Sequence, residues 1–176
     1  MSIEDSKKII GAVRDLLNYK NEKYGNAALK PLNIFYKGDA QTSITIRLDD
    51  KLSRIMNCQD KIRKNDIADV VGYLFLLLIS LGAFEDEKKQ SADAFSKRLN
   101  EVCNGLYTKM TQVVAEDDTT PGVFVKEPAS LINAQTILSV IHKSDTLSID
   151  NVVQLTVLLL QVMVEHNYVD LSEFKD

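Results

Sequence analysis

The alternation of apolar and polar positions divides the chain into about six helical segments, each bounded by polar or Gly/Pro-marked breaks. The first, "SIEDSKKIIGAVRDLLNYKNEKYG", opens with Ser2 and Asp5 at capping-box spacing and sets Ile9, Ile10, Val13, Leu16 and Leu17 on one stripe. It should stop near Gly25 and Asn26, and Pro31 and Gly38 then mark a long non-helical connection. A second helix is expected from Thr42 or Ser43, carrying Ile44, Leu48, Leu52 and Ile55, and a third from Asn65, read as its N-cap, to Gly82. After the charged stretch "EDEKKQSAD", the spacing of Phe95, Leu99, Val102, Leu106 and Met110 predicts a fourth. A long connection, "AEDDTTPGVFVKEP", leads to "ASLINAQTILSVIHK" and "SIDNVVQLTVLLLQVMVEHNY" as the last two.

The order helix, long loop, helix, buried helix therefore occurs twice. Setting "DIADVVGYLFLLLI" over "SIDNVVQLTVLLLQ" brings Ile67, Val70, Val71, Leu76, Leu77 and Leu78 onto the same residue types at Ile149, Val152, Val153, Leu158, Leu159 and Leu160. Two buried helices rich in Val and Leu also match by chance, so duplication is the favoured of two readings. The expected architecture is an all-α helical bundle, with residues 1–86 as one half and 91–176 as a second half packed on it, a degenerate copy of the first. Asp66 falls on Ser148 and Asp69 on Asn151, so the second half lacks that acid pair.

Composition narrows the partners. Only 7 glycines and 3 prolines favour helices, and a formal net charge of −4 gives no basic field for a nucleic-acid polymer. A phosphate ligand would need local Lys, Arg or metal. The longest apolar run, "VVGYLFLLLISLGAF", falls short of the roughly twenty residues that cross a bilayer, so no membrane partner is expected. Cys58 and Cys103 form no CxxC or Cys/His cluster, and "MSIEDSKKII" has no apolar core of a signal peptide; both favour a reducing cytoplasm. No Gly-rich phosphate loop, GxSxG or HExxH occurs, and His142 and His166 are isolated and read as surface or helix-end residues.

The acids stand out. Asp66 and Asp69, three apart on the third helix, share a face with Tyr73 a turn further on. Asp49 and Asp50 sit on the helix before, among Arg47, Lys51 and Arg54. In the plain structural reading Asp66 meets the helix dipole, Asp69 pairs with Arg47 or Arg54, and the second helix shows a solvated mixed-charge face. In the functional reading Asp49, Asp50, Asp66 and Asp69 are oxygen ligands for Mg²⁺, and Lys51, Arg54 and Lys20 or Lys23 neutralise a triphosphate. In the long loop and around it, Tyr24, Asn26 and Asn33 offer hydrogen bonds and Phe35 and Tyr36 stacking surfaces for a base. The apolar loop residues serve equally well to tack the loop to the core.

"KNEKYGNAALKPLNIFYK", "ITIRLDDKLSRI" and "KNDIADVVGYLFLLLI", in that order, resemble the nucleotide modification associated domain family common in phage genomes, grouped with the MazG-like all-α NTP pyrophosphohydrolases. The resemblance covers roughly residues 10–82. It implies a four-helix core, a Mg²⁺-dependent cleft and a nucleotide ligand, split into a nucleoside monophosphate and pyrophosphate. It further implies that Asp66 and Asp69 correspond to the second of two metal-holding acid pairs, while Arg47, Asp50 and Arg54 stand where the first pair has glutamates. On that basis Asp50 and Asp69 are the expected catalytic residues and Asp49, Asp50, Asp66 and Asp69 the Mg²⁺ ligands. Lys51, Arg54 and Lys23 are assigned to phosphate, and Tyr24, Asn26, Phe35 and Tyr73 to base and sugar. A non-catalytic protein that sequesters a nucleotide or cyclic nucleotide and a structural or regulatory interaction protein remain as alternatives, and a homo-oligomer is compatible with all three.

Overall fold

Helix-forming stripes and their end signals account for nearly all of the observed architecture. A computed structural model describes residues 1–57, 63–85, 95–117 and 129–175. Its helices are α1 (Ile3–Tyr24), α2 (Ala40–Asn57), α3 (Lys64–Ser80), α4 (Phe95–Asp117), α5 (Ala129–Lys143) and α6 (Ile149–Glu165), followed by a 3-10 turn at Ser172–Phe174. The fold is an all-α bundle, as the sequence predicts. Cys58, most of "EDEKKQSAD" and the "PGVFVKEP" connection lie outside the described residues.

Helix α1 begins with the expected capping box: the Ser2 hydroxyl accepts from the Asp5 N–H at 3.1 Å, and the Asp5 carboxylate accepts from the Ser2 N–H at 2.9 Å. It ends at Gly25, whose φ of 63° suits a residue without a Cβ. Helix α2 starts earlier than its apolar stripe implies. The Asp39 carboxylate accepts from the Thr42 N–H at 2.7 Å, capping a helix that begins at Ala40 rather than Thr42 or Ser43. Helix α3 also differs at its start: Arg63 occupies the N-cap and its side chain does not cap the first-turn N–H groups, and Asn65 lies inside the first turn.

Helices α3 and α6 form the centre. Both carry buried residues around most of their circumference, including Phe75, Leu77 and Leu78 on α3 and Leu160, Val162 and Met163 on α6. They pack on each other, α1 packs on α4, α2 on α3, and α5 on α6, so residues of both halves enter one core. Exchanging α1, α2 and α3 for α4, α5 and α6 leaves this pairing unchanged. Of the residues matched between the third and sixth helices by sequence, Val70, Val71, Leu77 and Leu78 are buried, as are Val152, Val153, Leu159 and Leu160, whereas Ile67 and Leu76 are buried but Ile149 is exposed and Leu158 only partly buried. Two polar side chains buried in the bundle, Ser6 and Thr156, donate to the carbonyls one turn earlier, Ser2 and Val152, at 3.2 and 2.7 Å.

The turn after α3 is tightly made. Phe84 has a φ of 60°, unusual for an aromatic residue, and its ring lies so close over α4 that a Cβ added to Gly105 would stand 2.4 Å from it. Arg98 of α4 ties the same turn to that helix through Glu85 at 3.3 Å and the Ala83 carbonyl at 3.4 Å, and pairs with Glu101 within α4. Among the described residues no helix is long and apolar enough to cross a membrane.

Candidate functional site

A cleft of about 270 Å³ opens between the C-terminal half of α1 and the first half of α3. Leu16, Leu17, Ala68 and Leu76 make its apolar floor. Lys20, Asn21, Tyr24 and Asn26 come from α1 and the turn after it, Arg47 from α2, and Asp69 and Tyr73 from α3. The spacing is that of helix faces: Leu17, Lys20 and Tyr24 follow one another by a turn, as do Asp69 and Tyr73. Gly72 leaves the wall between those two turns open, since a Cβ there meets only the Leu17 side chain at 3.7 Å.

Charge is arranged around Asp69. Its Oδ2 pairs with the Lys51 Nζ at 2.8 Å and its Oδ1 with the Lys20 Nζ at 3.9 Å. The Arg47 guanidinium donates to the Tyr73 hydroxyl at 3.2 Å and lies 5.9 Å from the ring centroid. Two lysines, one from α1 and one from α2, thus hold the Asp69 carboxylate, and Arg47 lies against Tyr73 one turn further along α3, which leaves local positive charge in a chain of net −4. Asn21 donates to the Gly25 carbonyl at 3.3 Å, fixing the turn that closes the cleft's end.

The structure brings together only part of the expected site. Lys51 meets Asp69, and Asp69, Tyr73, Tyr24 and Asn26 share one cleft. Lys23 sits outside it, donating to the Tyr19 hydroxyl at 3.2 Å and lying 5.4 and 5.6 Å from the Tyr19 and Tyr24 rings; the Tyr19 contact holds its ammonium above the usual lysine pKa. Asp66 instead pairs with Arg63 at 3.0 Å at the start of α3. Asp49 lines a different groove, between α2, α3, α5 and α6, while Asp50 and Arg54 are exposed on α2. Phe35 is 98% exposed at the tip of the α1–α2 loop, away from the cleft wall. His142 and His166 fall at helix ends as expected, the latter stacked 5.5 Å from Tyr168.

As for Mg²⁺, the four acids do not converge. One faces another groove, one is exposed, one is held by Arg63, and Asp69 is held by two lysines, so their arrangement does not fit a shared ion. Among the described residues no group of three or more acid, His or Cys side chains is placed to hold a metal. Asn21 and Gly72 are the cleft residues that patterning missed. Gly72 carried a signal: a glycine inside a strongly apolar helix costs about 1 kcal/mol against Ala and marks a place where space is kept.

No family model, curated protein or solved structure matches the chain. The reading of the cleft therefore rests on its own chemistry.

Proposed function

We propose that the cleft binds a nucleotide, with phosphate meeting Lys20, Lys51 and Arg47 and the base lying against Tyr24 or Tyr73 over the apolar floor. The observation that carries this is that Lys20 and Arg47 line a largely apolar, tyrosine-bearing cleft of an acidic chain, with Lys20 and Lys51 both paired to the Asp69 in its wall. Lysine and arginine at a half-exposed mouth attract phosphate, and an apolar floor with flanking rings favours a planar base over a simple anion. Asn21 and Asn26 offer amide groups for its edge. The chain's residues supply binding and orientation in this reading, and no bond-breaking step is assigned to them.

A second reading, Mg²⁺-dependent release of pyrophosphate from a nucleoside triphosphate, is favoured by one observation: Asp69, an expected metal ligand and catalytic acid, does line the cleft. The two readings separate in one experiment. Purified protein is tested by equilibrium dialysis against nucleoside mono- and triphosphates, with Mg²⁺ and with EDTA, while pyrophosphate is followed in the same mixtures. Binding that persists in EDTA, weakens with added salt and yields no pyrophosphate is the expected result. Mg²⁺-dependent pyrophosphate release would replace it with the hydrolase reading, and absence of binding under both conditions would overturn both.

A further inference from the structure

The α1–α2 loop and the groove beside α2 match each other in shape and charge. In the loop, Leu32, Ile34 and Phe35 are 88%, 64% and 98% exposed. Solvent exposure of three large apolar side chains within four positions is unusual for a monomer and marks a contact surface. The tip is also preformed. Asn33 takes a left-handed turn with φ 55°, the Lys37 ammonium donates to the Asn33 carbonyl at 2.7 Å, and the Tyr36 ring lies against Gly38. These contacts turn Leu32, Ile34 and Phe35 outward on a closed loop, so little ordering is lost when the tip docks.

The groove of about 210 Å³ is walled by Leu48 and Leu52 of α2 and Leu138 and Ile141 of α5, over a floor from α3 and α6. Among the described residues Asp49 is its one charged lining residue. Met56, a turn beyond Leu52 on the same stripe, is 82% exposed and extends the apolar surface past the groove's end. The loop tip, in contrast, is bracketed by Lys30 and Lys37 and has no acid between them. An apolar knob between two cations thus faces, in chemistry, an apolar hole with one anion.

We propose that the occupant of this groove is the Leu32–Tyr36 tip of a second copy of the chain. The loop ends at Asp39, the cap of α2, and the groove runs along the middle of that same helix from Thr45 to Leu52, so knob and hole are neighbours carried by one element. That proximity lets two copies exchange tips reciprocally about a two-fold axis, which closes the assembly as a dimer. The root of the same loop, Gly25 to Ala28, forms the end wall of the cleft, so exchange also steadies that wall.

Sedimentation equilibrium of the intact chain tests this. The wild type is expected to dimerise with concentration, Phe35→Ser to weaken association at least tenfold, and Asp49→Lys to weaken it several-fold. Adding Lys30→Glu and Lys37→Glu to Asp49→Lys should restore it, because the charge pair is rebuilt with the signs exchanged. All these side chains are exposed, and an unchanged circular dichroism spectrum verifies the fold. A wild type that stays monomeric, including one whose tip folds into its own groove, overturns the proposal, as does a dimer indifferent to Phe35→Ser.

Discussion

Replacing Asp69 by Asn separates the two readings of the cleft by the sign of the change in affinity. The carboxylate sits 2.8 Å from the Lys51 ammonium and 3.9 Å from that of Lys20, with its side chain 34% exposed. A charge-assisted hydrogen bond is worth about 1.5–3 kcal/mol where it is shielded, and exposure of this degree reduces it to about 1 kcal/mol. Asn keeps the shape and one acceptor, so the fold should lose at most about 1 kcal/mol, or about 2–4 °C in Tm for a chain of this size. Nucleotide affinity should move the other way. A phosphate held by the two lysines would lie about 6 Å from the carboxylate, and at an effective dielectric of about 40 the repulsion between them is about 1.4 kcal/mol, reduced to about 1 kcal/mol by salt. Removing it frees both ammonium groups and tightens binding in EDTA about fivefold, read by isothermal titration calorimetry. A loss of binding with an unchanged melting temperature would refute this reasoning and return Asp69 to a metal-holding role.

The remaining predictions concern space, packing and titration. Gly72→Leu places a side chain in the open wall of the cleft and should abolish nucleotide binding while helical circular dichroism is kept; undiminished affinity would locate the ligand elsewhere. Gly105→Ala drives a Cβ to 2.4 Å from the Phe84 ring, an overpacking of about 1–3 kcal/mol against a helix-propensity gain of about 1 kcal/mol, so urea denaturation should show a net loss that Phe84→Ala reverses. Burial pushes the Cys103 thiol up to about 12, so in a Cys58→Ser chain it should resist a disulfide reagent at about pH 8 until the protein is unfolded, and rapid native labelling would contradict its burial. Asp39 is held below its usual 3.8 by the Thr42 N–H; its stabilisation is therefore present above that value and lost as pH falls through the lower folded value, and Asp39→Ala should remove that segment of the acid-unfolding curve.

Apolar periodicity was enough to place the helices, because burial at helical spacing leaves a direct mark in sequence: Ile9, Val13 and Leu17 on α1, Leu99, Val102 and Leu106 on α4. Helix starts were less legible. Asp39 follows a glycine and reads as part of a turn, yet its carboxylate decides where α2 begins. The site was legible residue by residue and not as a set. Spacing along α3 puts Asp66 and Asp69 on one face, but which cation reaches each depends on where α1 and α2 are packed, and Arg63 takes the first while Lys51 and Lys20 take the second. Asp49 and Asp50 are neighbours in sequence and both exposed, and the turn of the helix sets Asp49 at the rim of a groove on another side of α2 and Asp50 outside either site.

The pairing of helices gives these placements a common logic. If the two halves are copies, α3 and α6 occupy equivalent central places, and the packing residues are the ones under equal constraint: Val71, Leu77 and Leu78 are as buried as Val153, Leu159 and Leu160. Positions at the edge of each central helix are freer to diverge. Asp69 faces the lysines of α1 and α2, whereas its counterpart by sequence, Asn151, sits on α6 with neutral polarity. Shared burial with unshared charge is what a duplicated scaffold shows when one copy keeps a ligand cleft and the other keeps only the core. Asn151→Asp should then leave nucleotide binding and its stoichiometry unchanged, since Lys20 and Lys51 are paired with Asp69; a second binding event in that variant would show instead that the α6 half retains a cleft of its own.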